Sequence, residues 1–429
     1  MSKPLWDKDG AAVDARIQRF LAGDDVVLDR ELFLHDVRAS QAHVRGLARV
    51  GVITTGEATS LEGALDDLAS AFTRGDFILD DRFEDGHSAI EAYLTDKLGE
   101  PGKKVHTGRS RNDQVLVALR LHARATLDEA HTHVKDAAAA LLDRAEADAA
   151  TPMPGYTHLQ RAVPSSIGLW LAGLAESLID DAALIDSTAR WMDACPLGTA
   201  AGYGVNLPLD RQGVSDDLGF SRLLVNPMYA QNSRGKLELQ LLMALLQPLL
   251  DVRRFAWDLS LFTTAEMAFV KLPAEYVTGS SIMPNKKNPD VVELLRASPA
   301  VVLGALAEVE SVLSLPSGYQ RDLQATKGPV LRASARALEA LSLVPALVRR
   351  MDFDRDKMRA AITPDLHATD VAVELALAGV PFREAYRRVA DGLSTLAARR
   401  PEDSLAARTS PGATGDLMLG VLRERLRSV

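Results

Sequence analysis

Between two long apolar segments, the stretch Gly279-Ser280-Ser281-Ile282-Met283-Pro284-Asn285-Lys286-Lys287-Asn288-Pro289 gathers two serines, two lysines and two asparagines. Gly279 frees the backbone, while Pro284 and Pro289 forbid helix and fix the local φ. A serine hydroxyl is a poor base until its alkoxide is stabilised, and a nearby ammonium supplies that stabilisation. The same positive charge can hold a carboxylate. By composition alone the stretch also reads as a solvated loop joining two helices. A phosphate loop is excluded, because no glycine precedes the lysine and no second glycine stands at the required spacing.

A second polar run is His106-Thr107-Gly108-Arg109-Ser110-Arg111-Asn112-Asp113-Gln114. Ser110 followed three residues later by Asp113, ahead of an apolar run, is a capping box. A helix start carries free N–H groups and partial positive charge, which Arg109 and Arg111 reinforce. The run therefore reads both as a helix start and as a carboxylate receptor. His158, in Tyr156-Thr157-His158-Leu159-Gln160, reads on its own as a polar loop residue following the turn signals Pro152, Pro154 and Gly155. His87 reads as a residue near a helix start, with Asp85 as its cap. Tyr319, Gln324 and Lys327 are loop residues by pattern. No Cys/His cluster has zinc spacing, and no Gly-x-Gly-x-x-Gly follows a strand.

The elements that carry these residues are helical. Glu31 to Val50 and Ser60 to Arg74 place apolar residues at three- and four-residue spacing. From Gln114 to about Ala150 helix formers continue without proline or glycine. Pro164 reads as the opening of a further long helix, with Leu171, Leu174, Ala175, Leu178, Ala182 and Ile185 as its apolar stripe. Residues 195–232 read as a long irregular connection. Ser233 to about Val270 returns to helix, with Pro248 inside it. Val291 to Leu315 is apolar on nearly every face, which predicts burial on all sides and a bundle shared between subunits. Beyond Thr363-Pro364 the spacing shortens into a small helical tail.

The 429 residues are 47% hydrophobic and only 5% aromatic, which suits a large helical core. A net charge of −9 makes nucleic acid and anionic membrane unexpected partners. Cys195 is the only cysteine, which excludes an intrachain disulfide and predicts a reducing cytoplasm. The first residues lack the apolar core of a signal peptide, and no apolar run approaches the ~20 residues that span a bilayer.

Gly-Ser-Ser-x-Met-Pro-x-Lys-x-Asn-Pro, as it stands at 279–289, resembles the signature of the fumarase/aspartase superfamily. Members of that superfamily eliminate fumarate, or a close relative, from a succinyl compound. Gly-Tyr-Thr-His-x-Gln at 155–160 is similar to a second superfamily motif, and Glu84-Asp85-Gly86-His87 to a third. The nonapeptide 106–114 resembles the argininosuccinate lyases in particular, and the likeness runs over essentially the whole chain.

The resemblance implies an all-α fold with an N-terminal helical domain (1–108), a central long-helix domain (109–360) and a small C-terminal helical domain (361–429). It further implies a homotetramer whose sites are shared between chains, built around a central helical bundle. The implied reaction is reversible cleavage of argininosuccinate to arginine and fumarate, with no cofactor and no metal. In it Ser280 matches the base, Lys286 and Asn288 match the residues that hold the substrate carboxylate, and His158 matches the residue linked to protonation of the leaving nitrogen. Glu293 would stand behind His158. Asp85, Ser110, Arg111, Asn112, Thr157, Arg234, Tyr319, Gln324 and Lys327 would contact substrate.

Three departures bear on the arginine end of the substrate. Trp6 is followed by Asp-Lys-Asp-Gly where relatives carry Gly-Gly-Arg-Phe; Asp25 stands in place of a serine; and Asn232-Ser233-Arg234-Gly235 replaces Ser-Asp-Arg-Asp. Fumarase and adenylosuccinate lyase are the nearest alternatives. Asn285 separates the chain from adenylosuccinate lyases, which place histidine there. A structural relative of the lens-crystallin kind is the remaining alternative, opposed by the presence of Ser280, Lys286, Asn288, His158 and Glu293.

Overall fold

The computed structural model describes residues 15–429, and it is predominantly helical. In chain order the first helices are α1 (Ala15–Ala22), α2 (Asp25–Arg49), α3 (Thr55–Arg74) and α4 (Gly86–Leu98). The 37-residue α5 (Arg111–Ala147) follows, and then a hairpin of β1 (Pro152–Thr157) and β2 (Gln160–Ser166). Next come α6 (Ile167–Met192), β3 (Ala194–Cys195), α7 (Arg211–Asp217), β4 (Arg222–Leu223), α8 (Pro227–Asn232) and α9 (Lys236–Phe262). After β5 (Val270–Lys271), β6 (Thr278–Gly279) and β7 (Lys287–Asn288) lie α10 (Asp290–Val312), α11 (Lys327–Arg350) and β8 (Asp352–Phe353). The chain closes with α12 (Arg355–Ala360), α13 (Ala368–Leu377), α14 (Phe382–Asp391), α15 (Pro401–Ala407) and α16 (Leu419–Ser428).

These elements fall into two compact units. One draws on residues up to 128, 187–243 and 301–335; the other on 129–186, 244–300 and 336–429. Helices α5, α6, α9, α10 and α11 each contribute residues to both.

In the first unit, local chemistry sets where helices begin. Thr54 accepts the Glu57 N–H while the Glu57 carboxylate returns a bond to the Thr54 N–H, a complete capping box for α3. Asp85 and Ser88 close a second box at the start of α4. Phe33, Leu47, Leu61, Leu65, Ile90 and Leu94, all essentially inaccessible, join α2, α3 and α4 into one core.

In the second unit the predicted α6 stripe is buried, Leu171, Ala175, Ala182 and Ile185 completely. Trp170 packs near Phe255, Phe262 and Phe353 and donates its indole N–H to Asp258 at 2.8 Å.

Two expectations need correction. Pro164 does not open a helix: it pairs with Pro154 inside β1–β2, and α6 begins at Ile167. A two-stranded ladder has only edge strands, so neither proline costs an inward hydrogen bond. Residues 195–232 are not wholly irregular, since they hold α7, α8 and a short parallel pair, β3–β4. Helix α10, expected to be covered in a bundle shared between subunits, is partly buried within the single chain. Val292, Leu295, Val302, Ala305 and Val309 are buried, whereas Leu294 is 61% and Leu303 45% exposed. Among the described residues no helix is long and apolar enough to cross a membrane.

Asp181 of α6 is buried beside Asp251 of α9. Burial first, and then the like charge of Asp251, pushes Asp181 up to about 8. A folded-state value raised above the unfolded one gives stability that is complete below the ordinary carboxylate range. That stability is lost as pH rises through about 8. Asp181→Asn supplies a hydrogen-bond donor at every pH. Thermal unfolding should therefore show a smaller fall in Tm between pH 5 and pH 9 for the variant than for the natural protein, and equal falls would mean that the pair holds no proton.

Candidate active site

Three carboxylates share one face of α2. Asp25, Asp29 and Asp36 follow one another at helical spacing beside the buried Leu32 and Phe33. Lys327, at the start of α11 and almost wholly buried, places its Nζ 2.6 Å from Asp29 Oδ1 and 2.9 Å from Asp25 Oδ1. Burial alone would pull this ammonium down, but Asp29 and Asp25 outweigh it and the Lys327 pKa is raised. Asp25 is nonetheless held above its ordinary range, chiefly by burial, because it shares one ammonium with the closer Asp29. Arg234, also buried, lies with its guanidinium carbon 5.9 Å from the Tyr319 ring centroid, and its Nε has no partner among the described residues. Asn232 accepts the Gly318 N–H at 2.8 Å, which ties the Tyr319 turn to the segment carrying Arg234. Gln324 and Arg321 both donate to the Leu21 carbonyl.

The same unit holds the nonapeptide. Ser110 caps α5: its Oγ accepts the Asn112 N–H at 3.3 Å, and its own N–H donates to Asp113 Oδ1 at 2.9 Å. Asp113 Oδ2 accepts the N–H groups of Gly198 and Ala200, at 2.9 and 3.0 Å. His106 Nε2 lies 3.0 Å from the His87 carbonyl, so Nε2 carries the proton. Nδ1 then accepts from Arg109 and Gln114, at 2.7 and 3.0 Å. Burial, aided by the Arg109 charge, holds this imidazole well below its ordinary pKa, which suits a neutral acceptor.

Arg111 spends its guanidinium on Glu84, 2.7 Å away, and on Asp85 at 3.3 Å. Despite burial, the charges of His87 and Arg111 and the Ser88 N–H hold Asp85 below its usual range. The Gly86 N–H donates to Asp29 at 2.8 Å. A Cβ at Gly86 would stand 3.4 Å from Asp36 and Phe33, so glycine keeps the close approach free of crowding.

The second unit carries the signature loop. Thr278 pairs with Asn288 and Gly279 with Lys287, so the loop is closed at its neck. Ser280 immediately follows one strand and Lys286 immediately precedes the other. The Ser280 Oγ accepts two backbone N–H groups, from Ile282 at 3.3 Å and Met283 at 3.0 Å. Donors aimed at an oxygen favour its anionic form. Among the described residues none donates to the Ser281 hydroxyl. Below the neck, the Thr278 hydroxyl donates to Asp290, the first residue of α10. Glu293 lies in the first turn of that helix and is exposed.

His158 and Leu159 form the two-residue turn of the β1–β2 hairpin, with φ of 54° and 58°. Positive φ at both positions is the geometry that twists with the strands, and it normally draws asparagine and glycine. Here a histidine and a leucine hold it, and Thr157, His158 and Leu159 are all exposed.

Within the first unit the structure gathers Asp85, Ser110, Arg111 and Asn112 along two linked helix starts, and Arg234, Tyr319 and Lys327 around the acidic face of α2. Within the second, Ser280, Lys286 and Asn288 share one closed loop. Among the described residues no hydrogen bond joins His158 to Glu293 or Ser280 to Lys286. Asp29 and Asp36 escaped the sequence reading. Their signal was present, since carboxylates at the spacing of an apolar helix face require a buried partner. Among the described residues no group of three or more His, Cys, Asp or Glu side chains is placed to hold a metal ion.

Comparison with known proteins agrees with these motifs. A sequence profile of a family described as lyases matches residues 12–304. Argininosuccinate lyase from Xanthomonas euvesicatoria pv. vesicatoria (strain 85-10) is 57% identical over 430 residues, covering 100% of both chains. The argininosuccinate lyase of Stenotrophomonas maltophilia (strain R551-3) is 56% identical over 430 residues, again covering 100% of each. Among solved structures, an EDDS lyase in complex with formate superposes with a TM-score of 0.78 at 23% identity, over 97% of this chain and 91% of that one. At that identity the last likeness speaks for the fold.

The Lys327 cluster makes a test of its own. Lys327→Met would leave Asp29 and Asp25 buried without a counter-charge, a loss of about 3–5 kcal/mol. Asp25→Ser leaves Lys327 paired with Asp29 and should cost much less. Urea unfolding should rank the two in that order, and equal midpoints would mean that Asp29 and Lys327 do not form the dominant pair.

Proposed function

The chain belongs to the argininosuccinate lyases, and from that premise we propose that it cleaves argininosuccinate reversibly to L-arginine and fumarate in arginine biosynthesis. The difficulty of this elimination is the removal of a carbon-bound proton beside a carboxylate. As the C–H bond breaks, its electron pair spreads into that carboxylate, then forms the new double bond as the C–N bond breaks. The leaving guanidino nitrogen gains a proton.

Ser280 takes the carbon-bound proton. The observation that carries this reading is the pair of backbone N–H groups on its Oγ, which support the alkoxide before substrate arrives. Lys286 and Asn288, from the same closed loop, hold the carboxylate into which charge flows. Their contribution is largest when the charge is largest, so it accelerates the chemistry and does more than retain substrate. His158 serves protonation of the leaving nitrogen, with Glu293 orienting it. Thr157, Asp85, Ser110, Asn112 and Arg111 contact the succinyl part, and Arg234, Tyr319, Gln324 and Lys327 the remainder.

A homotetramer with each site shared between chains belongs to the same proposal, as do the three-domain division at 108 and 360 and a cytoplasmic location. Support for sharing comes from the second unit. Lys286, His158 and Glu293 are exposed and have no side-chain hydrogen bond among the described residues, and α10 presents Leu294 to the outside.

Argininosuccinate added to the purified protein should yield fumarate, followed by its ultraviolet absorbance. Ser280→Ala should lower kcat by roughly 10²–10⁴-fold with the fold intact, and Ser281→Ala should be mild. The reverse ranking would move the base to the other serine.

Shared sites predict complementation. Ser280→Ala and His158→Asn subunits, each strongly impaired, are unfolded, mixed equally and refolded together. With random assortment, about one quarter of sites would regain both residues if the two come from different chains. Zero recovery in well-formed hybrids would refute sharing and leave the lyase activity untouched.

A further inference from the structure

Behind the hairpin that carries His158 lies a buried polar cluster in the same compact unit, for which the reaction assigns no role. His367 ends the 3₁₀ turn Pro364–His367, Asp370 lies in the first turn of α13, and Ser404 sits in α15. His367 and Ser404 are 2% and 5% exposed. The Ser404 hydroxyl donates to Asp370 Oδ2 at 2.6 Å, and His367 Nδ1 lies 2.6 Å from the same hydroxyl oxygen. Arg408 holds Asp370 Oδ1 at 2.6 Å and donates to the Ser404 carbonyl at 2.6 Å.

One hydroxyl has one proton, and that fixes the direction of every bond. Asp370, gripped by Arg408, only accepts, so Ser404 gives it the proton. His367 Nδ1 must then be the donor to Ser404 Oγ. This is not the arrangement of a hydrolytic triad, in which the histidine accepts the serine proton. A serine that is buried and donates its only proton to a carboxylate is no nucleophile. The cluster is a clasp joining the 364–367 turn to α15.

Both clasped elements pack on β2, and α15 and α12 also touch β1. Arg161 of β2 donates to the Ala361 carbonyl at 2.9 Å, a further tie between the hairpin and the C-terminal segment. The hairpin needs such support. It is a two-stranded ribbon, marginal by itself, and its turn puts two non-glycine residues at positive φ. A conformation of that kind persists only where the surroundings over-determine it.

We infer that the His367–Ser404–Asp370–Arg408 clasp is a positioning device for His158, acting through the β1–β2 hairpin. This rests on the proposed role of His158 in leaving-group protonation. Displacement of a reacting group by about 1 Å is enough to cost up to ~10²-fold in rate. Loss of the clasp should therefore be felt in kcat and scarcely in substrate binding.

The test uses Ser404→Ala in the full-length enzyme, with Asp370→Asn deciding in its place if the alanine variant does not fold. Expected is a fall in kcat of about tenfold or more with KM within about twofold, and faster amide hydrogen exchange across residues 153–165. In a His158→Asn background the same substitution should cost less than about twofold further, because two changes that act through one group do not add. A clasp that merely stabilises the fold would reduce kcat equally in both backgrounds. Unchanged kcat, unchanged hairpin exchange, or a full second loss in the His158→Asn background would each overturn the inference. Should the natural protein release no fumarate, the lyase reading fails, while the exchange measurement still reports whether the clasp holds the hairpin.

Discussion

An ammonium taken out of water must have its charge answered, and in the first unit that of Lys327 is answered twice. Asp29 and Asp25 lie 2.6 and 2.9 Å from its Nζ. Those partners are on the first turns of α2, while Lys327 opens α11, 298 residues beyond Asp29. Two helix starts are thus locked to each other by a contact that neither can lose without leaving a bare charge in a core. The Gly86 N–H, also on Asp29, brings the start of α4 to the same point. From there Asp85 and Arg111 carry the register on to the start of α5. Four helix N-termini, from α2, α4, α5 and α11, are therefore set by one connected series of charges.

Asp25, a carboxylate where the family resemblance leads one to expect a serine, alters this arrangement. With a serine, Lys327 would answer Asp29 alone. With the aspartate, a second carboxylate takes part of that charge, and burial keeps Asp25 itself above its usual range. The region consequently balances acids against bases with little net positive charge to spare.

How far the sequence discloses this depends on whether a signal is local. The Asp85 and Ser110 caps lie within four residues of the groups they satisfy, and both are readable from short patterns. The α6 stripe is periodic and equally plain. The Lys327–Asp29 pair is neither, since nothing near Asp29 distinguishes it from a solvated acid except its place on an apolar face. The hairpin is hidden for a different reason. Pro152 and Pro154 read as breakers and Pro164 as a helix start, yet a two-stranded ladder leaves outward positions where a missing N–H costs nothing. For α10 the sequence reveals an apolar surface but not whose surface will cover it, so Leu294 and Leu303 read as core while lying exposed in the single chain. The roles of Ser280, His158 and Lys286 come from family resemblance, because no periodicity separates a reactive loop from a solvated one.

A predominantly helical protein faces a general difficulty in presenting proton-transfer groups, because a helix satisfies its own backbone and leaves few N–H donors free. The second unit meets it by interrupting the helices twice. At the signature loop, a two-residue ladder closes the neck and turns the N–H groups of Ile282 and Met283 onto Ser280, which a helical interior could not do. At the hairpin, a ladder of the opposite economy spends strain to lift His158 clear of the strands on a positive-φ turn. Each interruption is anchored below by side chains. Thr278 on Asp290 fixes the loop to the start of α10, and the Ser404 clasp stands behind the hairpin. In the proposed mechanism the short strands bear the chemistry, because they hold backbone donors and side chains at angles that the long helices do not provide.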